Sequence, residues 1–403
     1  MTLKQNERFY RFSENAFAVN FIAFAFVMFS CWFPTGFSAV FSTFAFLFAV
    51  PLFINRYRER NFFGFELIGL TLFLWLALSI LWSDGLISEN FEFLFEYRFY
   101  FMLPVFISAL SQNLFARRWA FYACLLGAFI AMITSYGLGF EWWKIKGANL
   151  SLADRIYHGL IMSMFLFILL LVSREETGFV RWTSLTLAIL TTLNILLIET
   201  GRTGYLQVVV VIILFILLTL SRAQSLGALI GFMLLLGSLY YSVDKFKDQI
   251  DLTVNNIEKM VMEDDYKSSV GYRLEFYSTA VEIASEHPLV GVGVGDVSST
   301  LHEYAADGYL RVASDNIHSE FLNMMLAGGV VAFGLFFGFI IALIILGLRL
   351  RPMTTGDALV GIALVLFVSA LFNSTIKDYG DKHVLMVVLS LLGSRVLAIK
   401  SLR

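Results

Sequence analysis

The chain has 403 residues, 58% of them apolar and 42 of them Phe, and only 15% are charged. No soluble domain of this length needs so much apolar surface, whereas a polytopic membrane protein does. A formal charge of -2 says nothing about nucleic acid, and no basic stretch is long enough to suggest such a partner, so none is expected.

A bilayer core about 30 Å thick needs roughly 20 mostly apolar helical residues per crossing. In chain order such runs fall near 16–33, 36–54, 66–82, 94–110, 119–138, 157–172, 181–198, 203–220, 225–243, 320–348, 357–375 and 383–399. The first is followed by no small-residue cleavage site and reads as a retained span. Cys31 and Cys124 both sit inside spans, which excludes a disulfide framework. The expected fold is an all-α polytopic membrane protein of about twelve transmembrane helices. Its domains are 1–243 (spans one to nine), 244–319 (a helical cap on the outer face) and 320–403 (spans ten to twelve).

With twelve spans both termini share a side. That side carries sixteen Lys and Arg, among them Lys4, Arg8, Arg56, Arg58, Arg60, Arg117, Arg118, Arg174, Arg351, Lys400 and Arg403. The short loops of the other face carry seven: Arg98, Lys144, Lys146, Arg155, Arg202, Lys377 and Lys382. The positive-inside bias therefore puts the termini in the cytoplasm.

The one long loop, 244–319, is acidic. "KFKDQIDLTVNNIEKMVMED" sets Phe246, Ile250, Val254, Ile257 and Val261 at helical spacing. "SSVGYRLEFYSTAVEIASEHP" sets Leu274, Tyr277, Val281 and Ala284 on one face and stops before Pro288. Together these give a small helical cap; the bland reading is an inert acidic linker. "GVGVGD" at 291–296 lacks the βαβ context of a dinucleotide site and reads as a tight turn back to the membrane. "EDDY" at 263–266 reads as a solvated acidic run, and no His/Cys cluster has zinc spacing.

Two places concentrate chemistry. In "ETGRTGYLQ" (199–207), Arg202 precedes a helix between Gly201 and Gly204. A helix N-terminus favours anions, glycines allow close approach, and a guanidinium forks onto phosphate oxygens. Arg273 on the cap is a second cation able to close over the same site. Snorkelling to lipid headgroups explains Arg202 equally well from the residues alone. In "SDNIHSEFLN", His318 stands at the join of the long loop and the tenth span. His158, beside Arg155 at the start of the sixth span, has a similar place, while His287 reads as a helix stop. Titratable side chains are expelled from bilayer cores and must collect somewhere, so His318 is equally compatible with a plain surface role.

"GRTGYL" at 201–206, "VGYRLEFYSTAVEIASEHPLVGVGVGD" at 270–296 and "NIHSEFLNMMLAGG" at 316–329 together resemble the O-antigen ligase/polymerase superfamily, specifically the WaaL-type ligases. "LADRIYHGL" at 152–160 adds a weaker match, and the resemblance covers residues 150–340. One departure is visible. After His318-Ser319 the family pattern runs through nine residues, a Gly, two more, then Gly, Thr or Tyr; Gly329 fits, but the last place is Ala332.

The resemblance implies a glycosyltransferase of lipopolysaccharide biosynthesis in the bacterial inner membrane, without ATP, metal or other cofactor. Its donor is a glycan on undecaprenyl pyrophosphate, and its acceptor is a sugar hydroxyl of lipid A–core. Arg202 and Arg273 are expected to stabilise the leaving pyrophosphate, and His318 to take the acceptor proton. One base and no evident nucleophile imply inversion. From the residues alone, Arg155, His158, Lys377 and Asp378 are supporting candidates, with Asp381 beside them in "KDYGDK", although a snorkelling charged rim explains the three last-loop residues equally well. An O-antigen polymerase with the same donor is the alternative. A non-enzymatic flippase predicts midplane charges and repeated halves, which the sequence lacks.

Overall fold

The computed structural model describes residues 3–33, 35–56, 62–145, 154–198, 201–263, 266–308, 310–312 and 314–400. Glu199 and Thr200 of the arginine joint, Leu152 and Ala153, Asp264 and Asp265, and Arg58, Arg60, Lys146 and Arg403 lie outside the described residues, as do the side chains of Lys4, Arg8, Arg56 and Lys400. Every regular element among the described residues is helical. The helices are α1 (Leu3–Ser30), α2 (Thr35–Arg56), α3 (Gly64–Leu78), α4 (Ile87–Glu96), α5 (Phe99–Gln112), α6 (Leu114–Gly139), α7 (Arg155–Glu175) and α8 (Gly178–Leu193). After a π-helical turn at Asn194–Ile198 come α9 (Arg202–Thr219), α10 (Arg222–Ser242), α11 (Asp244–Glu263), α12 (Ser269–Glu286), α13 (Val297–Ala306), α14 (Glu320–Leu350), α15 (Thr354–Phe372) and α16 (Tyr379–Lys400).

Twelve of these segments are long and apolar enough to cross a membrane, matching the twelve runs read from the sequence. The fourth differs in extent: it covers Ile87–Gln112 as α4 and α5. Arg98, expected in a surface loop, sits at the break between them and is buried. Its guanidinium donates to the Phe95 carbonyl (2.7 Å) and meets His383 Nε2 (3.1 Å).

The phenylalanine excess fills the bundle. Phe17, Phe21, Phe24 and Phe106 are fully enclosed where α1 and α5 approach, with the Phe21 and Phe106 rings 5.2 Å apart. Burying one such ring contributes about 1.5–3 kcal/mol in water, but lipid is also apolar, so here close packing does the selecting. At the opposite end of the bundle from the site, buried Asp357 is clamped by Arg174 (2.5 Å) and Arg351 (2.9 Å), which satisfies a charge that lipid would not.

Between α10 and α14 the two expected amphipathic helices form as α11 and α12. In α11, Phe246 is buried against Tyr205, but Val254, Ile257 and Val261 remain exposed. In α12 the buried face is turned from the expected one, of which only Ala284 is buried and Tyr277 half-buried. Leu274 and Val281 are exposed, whereas Phe276, Ala280, Ile283 and Ala284 pack inward. The helix carries apolar residues nearly all round, so periodicity alone did not choose the face. It ends at Glu286 with His287 as its cap, as the Pro at 288 requires.

The glycine-rich turn after α12 docks into a break in α14. Gly328 (φ -145°) and Gly329 (φ 66°) leave helical geometry. The loop supplies replacement hydrogen bonds: Val292 N–H to Leu326 O (2.8 Å) and Val330 N–H to Pro288 O (2.9 Å). Ala332, the departure from the family pattern, is fully buried, and a Cβ on Gly328 would press on its methyl at 2.7 Å. A Cβ on Gly329 would overlap the Leu289 carbonyl. Gly329→Val should therefore cost about 1–3 kcal/mol in backbone strain alone and also displace the turn. The expected result is a lower thermal midpoint and less folded protein in detergent. An unchanged midpoint would show that the break is not built as described.

Candidate functional site

His318 lies one residue before the N-cap of α14 and takes a left-handed backbone conformation, φ 55°. Such a conformation in a residue other than glycine costs about 1–3 kcal/mol and persists only where surroundings enforce it. Here they do. Asn316 Oδ1 accepts the His318 N–H (2.9 Å) and also the Ser374 hydroxyl. Ser374 Oγ in turn accepts from Asn323 (2.7 Å). The Tyr277 hydroxyl lies 3.1 Å from the His318 carbonyl and 2.9 Å from that of Leu371. Buried Glu320 opens α14, and its carboxylate accepts the N–H groups of Ile376 (2.8 Å) and Lys377 (3.2 Å). The chain on either side of His318 is thus tied to the turn between α15 and α16.

The imidazole faces a cavity of about 520 Å³. Its polar lining comes from Asp154 at the start of α7, Asn373 after α15, and Asp378 and Asp381 around the start of α16. Val27, Met28 and Phe33 from the end of α1 supply an apolar wall. Asn373 donates to Asp381 (2.9 Å), and Lys377 reaches the Asp315 carbonyl (2.6 Å). His318 Nδ1 is buried with no hydrogen-bond partner among the described residues.

The electrostatics favour a neutral ring. Burial pushes the His318 imidazole below its ordinary value; Arg273 and Lys377 push the same way, and Asp154 opposes them. Burial also holds the Asp378 carboxyl above the usual range, aided by Asp154 and opposed by Asn373, Lys377 and Lys382. Near neutrality the cavity therefore presents an unprotonated imidazole beside carboxyl groups, which suits hydrogen bonding to a polyhydroxylated ligand.

The arginine joint is the second part. Arg202 opens α9 with Gly201 as its N-cap, and a Cβ on Gly201 would lie 3.3 Å from the Arg155 carbonyl. Arg273 and Arg155 both lie within electrostatic range of Arg202, and Arg273 acts on His318 as well. Arg273 is therefore a charged neighbour common to Arg202 and His318. Arg202 Nη1 is buried without a hydrogen-bond partner among the described residues. Three cations around a helix N-terminus are an arrangement for a multiply charged anion.

Of the supporting candidates, Arg155 is exposed at the joint and Asp378 lines the cavity. Lys377 is held to Asp315 rather than free in a loop. His158 is placed differently: it is 0% exposed, one turn inside α7, and bonded to Asn194 (2.9 Å). It is enclosed by protein, so direct contact with sugar or phosphate does not fit its position. Asp154, Asn316, Glu320 and Asn373 were missed. Asp154 had a signal, since it caps α7 by accepting the Ile156 N–H (2.8 Å); Asn373 had one in the polar "NST" closing an apolar run. His302 pairs with Asp315 (2.8 Å) on the exposed side of α13. Among the described residues no group of three or more His, Cys, Asp or Glu is placed to hold a metal ion.

Residues 186–337 match the family model described as O-antigen ligase. That segment carries a domain of the O-antigen ligase/polymerase superfamily. The matched segment holds Arg202, Arg273 and His318, whereas Arg155, Lys377 and Asp378 fall outside it. No curated protein matches the chain. Such a domain points to a glycosyltransferase-type enzyme acting on lipid-linked glycans, and the twelve long apolar segments among the described residues point to a multi-pass membrane protein.

Proposed function

We propose that this protein is an O-antigen ligase, moving glycan from undecaprenyl pyrophosphate to a sugar hydroxyl of lipid A–core. The observation that carries the reading is Arg273, whose charge reaches both the arginine joint and the imidazole of His318. A pyrophosphate held by Arg202 and Arg273 sets its anomeric carbon toward the cavity where an acceptor hydroxyl meets His318. The acceptor oxygen bonds to the anomeric carbon as its proton passes to the imidazole. The bond from that carbon to the pyrophosphate oxygen breaks, and the electron pair leaves with undecaprenyl pyrophosphate. Guanidinium groups aimed at that developing charge lower the barrier. Attack opposite the leaving group inverts the anomeric configuration. Asp154, Asp378 and Asp381 are assigned to orienting acceptor hydroxyls in the cavity.

The charge bias of the loops supports cytoplasmic termini, with residues 244–319 as a domain capping the site on the periplasmic face of the inner membrane. An O-antigen polymerase would share the donor, so the test compares products. The gene is deleted in its own bacterium, complemented with wild type or with His318→Ala, and the lipopolysaccharide is resolved on a gel. A ligase deletion leaves lipid A–core bare while polymer accumulates on undecaprenyl pyrophosphate. A single unit still joined to core would mean polymerase, and an unchanged ladder would rule out both activities on O-antigen.

A further inference from the structure

The π-helical turn Asn194–Ile198 leads directly into the arginine joint. A π-turn widens the helix and breaks the regular bonding ladder, so it persists only where something holds it. Two ties take up carbonyls near its end: Tyr205 donates to Leu196 O (3.0 Å) and Lys245 to Ile198 O (2.9 Å). The third tie is at its start. Asn194, 0% exposed, donates to Ser135 (3.0 Å) on α6 and accepts from His158 Nε2 (2.9 Å) on α7. With the amide oxygen facing the ring, the imidazole proton sits on Nε2.

This chain of three buried polar side chains lies among apolar helices, where leucines would pack as well. Buried polar groups satisfied in one geometry select that geometry. What it selects is the approach of α7 to α9: a Cβ on Gly159, next to His158, would lie 3.2 Å from Gly204 Cα. The first turn of α7 then serves both halves of the site. Asp154 and Tyr157 line the cavity of His318, Arg155 backs Gly201, and His158 grips the π-turn. Holding is needed, because Arg155 and Arg273 repel Arg202 and, among the described residues, no carboxylate forms an ion pair with it.

We propose that His158 and Asn194 are positioning residues, which hold the π-turn so that Arg202 is presented to the pyrophosphate. The inference rests on the reading of Arg202 as a pyrophosphate ligand. The test is binding of farnesyl pyrophosphate, a soluble prenyl pyrophosphate, to the purified full chain. His158→Leu and Asn194→Leu are expected to weaken its Kd about tenfold, within the range of coupled neighbours, with the thermal midpoint little changed. His158→Gln, whose amide N–H can still reach Asn194, should stay within about threefold. In an Arg202→Ala background, His158→Leu should shift Kd by less than about twofold, because the group it positions is gone.

An equal tenfold loss in both backgrounds, or full affinity in a folded His158→Leu protein, would overturn the proposal. If the leucine variants do not fold, Ser135→Ala loosens the far end of the chain, and the same cycle applies with a loss of about two- to fourfold; no loss overturns it equally. Wild-type affinity in Arg202→Ala alone would instead overturn the assignment of Arg202, whatever His158 does.

Discussion

His318→Ala is expected to lower glycan transfer by about 10²–10⁴-fold, the usual contribution of a positioned base, while leaving the protein folded. The ring is only partly buried, and its backbone is fixed by Asn316 and Tyr277 rather than by ring contacts, so its loss removes chemistry more than structure. Wild-type activity should fall toward acid, with the limb below the ordinary imidazole value of about 6.5. The sign follows from burial, Arg273 and Lys377, which all disfavour the protonated ring; the base stays free until the pH drops further than usual. Removing one of those charges should raise the value. Arg273→Gln is thus expected to move the acid limb to higher pH while also weakening the donor. If the limb of the Arg273→Gln enzyme stays in place, the two residues do not share a site.

The second large effect is expected at Arg202. Arg202→Ala should cost about 10²–10³-fold in kcat/KM, comparable to losing one donor to a developing oxyanion. Arg202→Lys should recover only part of this, because an ammonium keeps the charge but not the planar fork. Acceptor KM should stay constant in both. A snorkelling arginine would behave differently: lysine would replace it fully, and alanine would hardly be felt. Measuring both substitutions with varied donor and fixed acceptor separates these outcomes.

Much of this was legible beforehand, for identifiable reasons. Spans depend on length and apolarity, which sequence carries directly, so all twelve appeared near their positions. The end of α12 was readable because Pro288 forbids continuation. Its buried face was not, because Leu274 and Val281 are as apolar as Phe276 and Ile283 and only tertiary packing distinguishes them. His158 was misplaced by a single turn: the helix starts at Arg155, which carries residue 158 inward from the surface. The cavity was hardest. Its lining comes from residues near 30, 155, 318 and 378, segments that no local pattern connects. Arg202 and His318 stood out because each sits where an apolar run is interrupted.

The break in α14 bears on how the protein is made. Gly328 lies about 12 Å along the helix at 1.5 Å per residue and is buried, so backbone groups left open there would cost several kcal/mol each. Their partners are Pro288 O and the N–H of Val292, in a segment translated before the tenth span. The break in that helix is therefore sealed only when the preceding loop folds back into it. Loop docking and maturation of the tenth helix become one step in biogenesis. A loop truncated upstream of Pro288 would be tolerated at insertion far better than one lacking residues 288–292.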